Sequence, residues 1–215
     1  MFQITRDWEA FWETHRDAEN GVYGNPNPRL LEYASLFMGG RRGLTAADIA
    51  SGDGRYAVPL AEMGFDVCAI DSSMRAHDRL RERVLHLGLT DRIHAEVADV
   101  FALLPDSRAY DLIVCSGMLE EIPMETHERL IRGLQQWTNP QGMNILRYVT
   151  EKKLDPNTTD EVVTVHERII GLYEGWKKID TEQEAHYRRA RVGRNIGGMT
   201  VNRYLRAASV VAVRH

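Results

Sequence analysis

Asp48-Ile49-Ala50-Ser51-Gly52-Asp53-Gly54-Arg55 decides the fold. It follows a short apolar run over 44–50 and opens a helical pattern over 55–63, so it reads as a strand, a tight turn and a helix. Gly52 and Gly54 lack side chains and let a ligand approach the backbone closely. Asp71 ends the next apolar run, over 65–70, and stands where an acid accepts hydrogen bonds from the ribose hydroxyls of an adenosine cofactor. A nicotinamide turn carries a third glycine and a pyrophosphate, whereas here Tyr56 stands two residues after Gly54 and no third glycine follows. Asp48 would repel a pyrophosphate and suits the amino group of a methionine moiety.

Outward from this turn, the alternation continues. Further strands are expected over 93–97, 111–115 and 143–149, with helices over 74–87 and 123–137 between them. Alternating elements of this kind build a mostly parallel sheet covered by helices on both faces. Upstream, Trp8, Phe11, Trp12 and His15 follow helical spacing. A turn over 23–28 leads to a helix over 29–37. Downstream, a helix is expected over 161–173, then extended segments over 175–184 and 201–213 that pair as an antiparallel hairpin. The expected architecture is α/β: a Rossmann-like seven-stranded sheet, mostly parallel, ending in that hairpin. One domain covers 1–215, with an N-terminal helical lid over 1–40, a cofactor core over 41–150 and a substrate-side segment over 151–215.

Composition excludes several classes. With 43% hydrophobic and 27% charged residues in 215, the chain is neither disordered nor a disulfide miniprotein. No run reaches the roughly 18 apolar residues of a membrane span, and the charged first twenty residues exclude a signal peptide. Cys68 and Cys115 lie in apolar stretches and read as reduced, buried thiols of a cytoplasmic protein. His77, His86, His94, His127 and His166 show no ligand spacing, so no metal is expected. The net charge of −4 discourages nucleic-acid binding. Residues 185–215 nevertheless carry seven arginines and no acid. Such a cluster suits a small anion.

The turn and its acids resemble the class I S-adenosylmethionine-dependent methyltransferases, whose first motif reads D/E-x-G-x-G-x-G. Ala50 stands at the first glycine, a change that adds one methyl group and fits if φ stays negative. Ala98-Asp99-Val100 matches the family's adenine-binding acid after strand three. Residues 110–116, ending at Ser116, look like its fourth-strand motif, and Asn139-Pro140-Gln141-Gly142 like the turn before strand five. The resemblance implies S-adenosyl-L-methionine as cofactor. It places Tyr23, Asp48, Ala50, Gly52, Gly54, Arg55, Asp71, Ser72, Asp99, Val100 and Ser116 around it.

The segments Tyr173-Glu174-Gly175-Trp176 and Glu184-Ala185-His186 are similar to the tellurite-resistance methyltransferases. That subgroup sets a histidine and two arginines over the methyl group. His186 matches the histidine, and Arg194 the arginine eight residues later. Tyr187 replaces the adjacent arginine, and strand alternation makes Arg188 its substitute, with Arg189 in reserve. The resemblance implies methyl transfer to a small acceptor, an oxyanion such as tellurite or selenite, by a monomer or homodimer. Glu120 and Glu121, just past strand four, line the pocket or begin the next helix. Two other readings stay open: methylation of a small organic thiol, amine or hydroxyl in secondary metabolism, and a non-catalytic S-adenosylmethionine-binding protein.

Overall fold

A computed structural model of the chain describes residues 7–14, 24–153, 161–162, 164–183, 188–194 and 200–215, with side chains omitted for 152–153, 161–162, 188–194 and 200–206. Helices α1 (Trp8–Thr14) and α2 (Pro28–Met38) precede the sheet. Then strand and helix alternate: β1 (Thr45–Ile49), α3 (Ala57–Met63), β2 (Asp66–Asp71), α4 (Met74–Leu87), β3 (Ile93–Val97), α5 (Val100–Leu103), β4 (Tyr110–Ser116) and α6 (His127–Trp137). The chain closes with β5 (Thr138–Lys153), β6 (Glu161–Val162), α7 (His166–Gly171), β7 (Lys177–Asp180), β8 (Arg188–Arg194) and β9 (Thr200–Val213).

The strand order is β3-β2-β1-β4-β5-β9-β7, with β6 on β5 and β8 on β9. Strands β1 to β5 run parallel, and β9 lies antiparallel between β5 and β7. This is the Rossmann-like sheet the alternation implies, and the antiparallel pairing of its last strands is present. The order reverses between β1 and β4, and ligands of open α/β sheets bind at the carboxyl ends on either side of such a reversal.

Neighbouring strand residues go to opposite faces. Ala47, Ile49, Ile113 and Cys115 join a core with α5, α6 and α7. Ala46, Leu112 and Val114 join a second core with α2, α3 and α4. Burial on both faces explains why these strands read as continuous apolar runs instead of alternating ones. Helix α4 matches its predicted bounds because its ends are chemically marked. The Ser73 hydroxyl accepts from Ala76 N–H at 3.2 Å, and Gly88 supplies a left-handed C-cap at φ 67°.

Three expectations change. The helix foreseen over 161–173 is β6 followed by the short α7. Glu161 and Val162 pair with Lys152 and Glu151, so a strand partner takes the segment before a helix can start. Asn139–Gly142 falls within β5, where the register jumps from Tyr110↔Thr138 to Leu112↔Met143 and pushes the turn out as a bulge. A Cβ on Gly142 would stand 2.7 Å from Thr138 Cγ2, so the bulge closes only over glycine. Cys115 is buried as foreseen, but Cys68 is only half-buried.

Candidate active site

The loop after β1 is held from below and from the side. Asp48, 2% exposed, accepts from Ala57 N–H at 2.8 Å and so ties the end of β1 to the first turn of α3. Desolvation pushes its carboxyl up to about 7, against the pull of the Ala57 bond and of Arg55. The structure thus sets Asp48 beneath the loop, as a closing bond, rather than at an exposed ligand surface. Ser51 N–H donates to Ile70 O at 3.1 Å, and Gly54 N–H to Ser51 O at 3.0 Å. Buried His77 lies 3.3 Å from the Ser51 hydroxyl, and burial lowers its pKa to about 4, so it braces the loop as a neutral ring.

Asp71, at the end of β2, accepts from Gly52 N–H at 2.8 Å through Oδ2 and from Ser73 N–H at 2.9 Å through Oδ1. Burial raises its pKa, opposed by those two bonds. A carboxylate has about four acceptor positions, so two bonds leave room for a pair of hydroxyls. Asp99 caps α5 by accepting from Phe101 N–H at 2.9 Å, and Val100 begins that helix buried. Asp99 and Ser72 are exposed at the same edge of the sheet. These residues fit an adenosyl ligand.

The glycines also make room for packing, which the sequence does not show. At Gly52 (φ 55°) an added Cβ would sit 2.9 Å from the Trp12 ring, and at Gly54 (φ 84°) 2.3 Å from Leu80 Cδ1. Their missing side chains make room for α1 and α4. Ala50 is a second correction: its φ is +56°, not negative. The turn needs left-handed backbone there, and a methyl group is carried at a steric penalty.

Helix α1 lies against α4 and this loop. Trp12 is buried on Gly52, with the Arg79 guanidinium 5.6 Å from its ring centroid. Glu9 accepts from Met74 N–H at 2.7 Å, and Arg75 pairs with Glu9 and Glu13. Of the segment expected as a lid, α2 instead buries Leu30 and Ala34 in the core with α3.

On the other side of the reversal, β4 ends beside the middle of β5 in a polar cluster. Arg55 Nη2 donates to Ser116 Oγ at 2.9 Å. Ser116 pairs in register with Arg147, a half-buried cation whose carbonyl accepts from Gly117 N–H at 2.9 Å. Glu120 turns back over the strand ends, where its Oε2 accepts from Val149 N–H at 3.4 Å. Desolvation pushes Glu120 up to about 7, with the Val149 bond and Arg55 opposing. Arg147 escaped the sequence reading. Its signal was a lone cation ending the apolar run Met143-Asn144-Ile145-Leu146.

Tyr23 and His186 lie outside the described residues. Arg188 and Arg194 bound β8, opposite Leu205 and Thr200 of β9, and nothing is described of their side chains. His127 and His166 are structural: His127 Nε2 meets Leu119 O at 2.8 Å, and His166 Nδ1 meets the Tyr148 hydroxyl at 2.8 Å. No group of three or more His, Cys, Asp or Glu side chains with metal-binding geometry occurs among the described residues.

Residues 46–142, from β1 to the bulge of β5, match the family model of a methyltransferase domain. The turn and acids that resemble the class I S-adenosylmethionine-dependent methyltransferases, Asp48 to Arg55, Asp71 and Asp99, all lie within these residues. Ubiquinone biosynthesis O-methyltransferase of Rickettsia typhi is 24% identical over 155 residues, covering 70% of this chain and 59% of that protein. The chain therefore spans about three fifths of that relative's length. Among solved structures, TehB of Haemophilus influenzae superposes with a TM-score of 0.67 at 17% identity, over 96% of this chain and 67% of that one. Magnesium protoporphyrin IX methyltransferase of Synechocystis, with bound S-adenosylhomocysteine, superposes with a TM-score of 0.66 at 16% identity, over 95% and 96%. At such identity, these likenesses concern the fold. No described helix is long and apolar enough to cross a membrane.

Proposed function

We propose that this chain binds S-adenosylmethionine along the carboxyl ends of β1, β2 and β3 and methylates a small acidic acceptor beside β4 and β5. One observation carries the reading. A glycine loop pinned by Asp71 faces, across the strand-order reversal, a cluster of Arg55, Ser116, Arg147 and Glu120. When bound, the cofactor supplies an activated methyl group on a sulfonium. The chain's own task is to hold the two reactants and exclude water. In this proposal Asp71 holds the ribose hydroxyls, Asp99 the adenine amino group, and the Ser116 end of β4 the methionine portion. Asp48 keeps the loop closed.

The acceptor of the first reading is an oxyanion such as tellurite or selenite. It is supported by the arginine-bearing β8 and β9, which reach past the carboxyl end of β4, and by the resemblance that marks His186, Arg188 and Arg194. A second reading, an organic hydroxyl or thiol, is favoured by the carboxyl of Glu120 beside the same strand ends. The free Cys68 and Cys115 support a reducing, cytoplasmic location.

The test is calorimetry with S-adenosylhomocysteine and NAD, then product release with tellurite, selenite, small thiols and phenols. Micromolar binding of S-adenosylhomocysteine and weak binding of NAD are expected. Asp71→Ala should weaken the former by about 1.5–3 kcal/mol, the scale of hydrogen bonds to a charged group. Tight NAD binding without any response to S-adenosylhomocysteine would overturn the assignment.

A further inference from the structure

We propose that Glu120 is the group that takes the acceptor's proton during methyl transfer, an inference that rests on the small-acceptor reading above. Its position argues for this before its acidity does. Glu120 stands in a single 3-10 turn, Leu119–Glu121, directly after β4. The left-handed Gly117, at φ 85°, reverses the chain there and returns the carboxyl over the strand it has just left. One oxygen, Oε2, is oriented by Val149 N–H of β5, while Oε1 lies 3.8 Å from where a Cβ on Gly117 would be. The carboxyl therefore sits over the end of β4 and the adjoining middle of β5, next to Ser116 and Arg147 and across from the glycine loop.

The charged and titratable groups around it come from every neighbouring element: Arg55 from the loop after β1, Cys115 from β4, Arg147 from β5 and Glu121 from its own turn. Two cations near one desolvated carboxyl suit a site where negative charge develops on a bound oxygen or sulfur. Burial brings Glu120 to about 7, the range in which a base both accepts a proton near neutrality and is free to receive it. The step balances. The acceptor's O–H or S–H bond breaks, its proton goes to Glu120, and the electron pair left behind forms the bond to the methyl carbon. The carbon–sulfur bond of the donor breaks with its pair staying on sulfur, which becomes a neutral thioether.

Glu120→Gln tests this, because the amide oxygen can still accept from Val149 N–H while the side chain cannot take a proton. Two phenols serve as probes: unsubstituted phenol, which keeps its proton at pH 7, and a nitrophenol with two nitro groups, 2,4-dinitrophenol, which is almost fully ionised there. Phenol turnover should fall by about 100-fold or more, the usual contribution of a general base, and nitrophenol turnover by less than about fivefold. S-adenosylhomocysteine affinity should stay within about threefold. Infrared titration of the protein alone should reveal two carboxyls changing state near pH 7, Asp48 and Glu120, of which the variant keeps one. Equal losses with both phenols, undiminished phenol turnover, or a variant that keeps both titrating carboxyls would each overturn the assignment. If the native chain binds S-adenosylhomocysteine but methylates neither phenols, thiols, tellurite nor selenite, the small-acceptor reading fails and takes this base with it. The infrared signal would then still report on the carboxyl alone.

Discussion

Ala50 holds a left-handed backbone, φ +56°, at the place where the turn after β1 demands it. An L-residue with a Cβ is strained there by roughly 1–2 kcal/mol, partly offset because glycine loses more chain entropy on folding. Ala50→Gly should therefore stabilise the fold by up to about 1 kcal/mol in urea melts. A loss of stability would mean that the methyl group packs favourably enough to outweigh the strain. Asp48 gives a second expectation at this scale. Its folded pKa, about 7, lies above the ordinary carboxylate value, so between about pH 4 and 7 the folded chain keeps a proton that the unfolded chain has lost. Its contribution is fully present below about pH 4 and declines as pH rises towards 7. Glu120 acts in the same direction. Asp48→Asn can keep the bond to Ala57 N–H but cannot titrate. Stability of the native chain minus that of the variant should fall by more than about 1 kcal/mol across this window. A difference that stays flat with pH would show Asp48 to be an ordinary carboxylate.

At the scale of elements, α1 shows which kind of contact holds a peripheral helix in place. Arg75 pairs with Glu9 and Glu13, but all three side chains are more than 40% exposed, and such pairs contribute under about 1 kcal/mol. Trp12 is 3% exposed and fills the space left by Gly52. Trp12→Ala should cost about 3 kcal/mol locally and Arg75→Ala less than about 1, read as loss of hydrogen-exchange protection in α1. Comparable losses would make the ion pairs, not the ring, the main anchor. The same contact explains a limit of the sequence. The spacing of Trp8, Phe11 and Trp12 announces a helix with an apolar face, but only the folded chain brings Trp12 to a glycine forty residues away. Helix α4 was legible to the residue because Ser73 and Gly88 mark its ends locally. The segment over 161–173 was not, because Glu161 and Val162 are drawn into a strand by Glu151 and Lys152, a pairing that local periodicity does not encode. Arg147 was missed for a related reason: its neighbours Ser116 and Glu120 come from another strand and turn.

For the whole molecule, sheet order and charge distribution meet at one end. The last β4–β5 pair is Ser116↔Arg147, yet β5 runs on to Lys153 against β9, which also carries β8. Six further residues project the β5–β9 pair roughly 20 Å beyond the carboxyl edge of the central strands. The arginines of β8 and β9 ride on this projection, on a chain whose net charge is −4. An acidic body with a local basic extension repels anions generally and admits them at one place, an effect screened over about 10 Å at 0.1 M salt. If the acceptor is anionic, its kcat/KM should fall several-fold between about 20 and 300 mM sodium chloride, while that of a neutral acceptor stays within about twofold. Arg194→Ala should lower kcat/KM for the anion by at least about tenfold, or 1.4 kcal/mol, and flatten its salt dependence, with S-adenosylhomocysteine affinity unchanged. A salt dependence shared by charged and neutral acceptors would place the effect in the cofactor or in folding. An Arg194→Ala variant that keeps the native salt response would move anion recognition inward, to Arg147 within β5 and Arg55 in the loop after β1, the two cations already seated beside the end of β4.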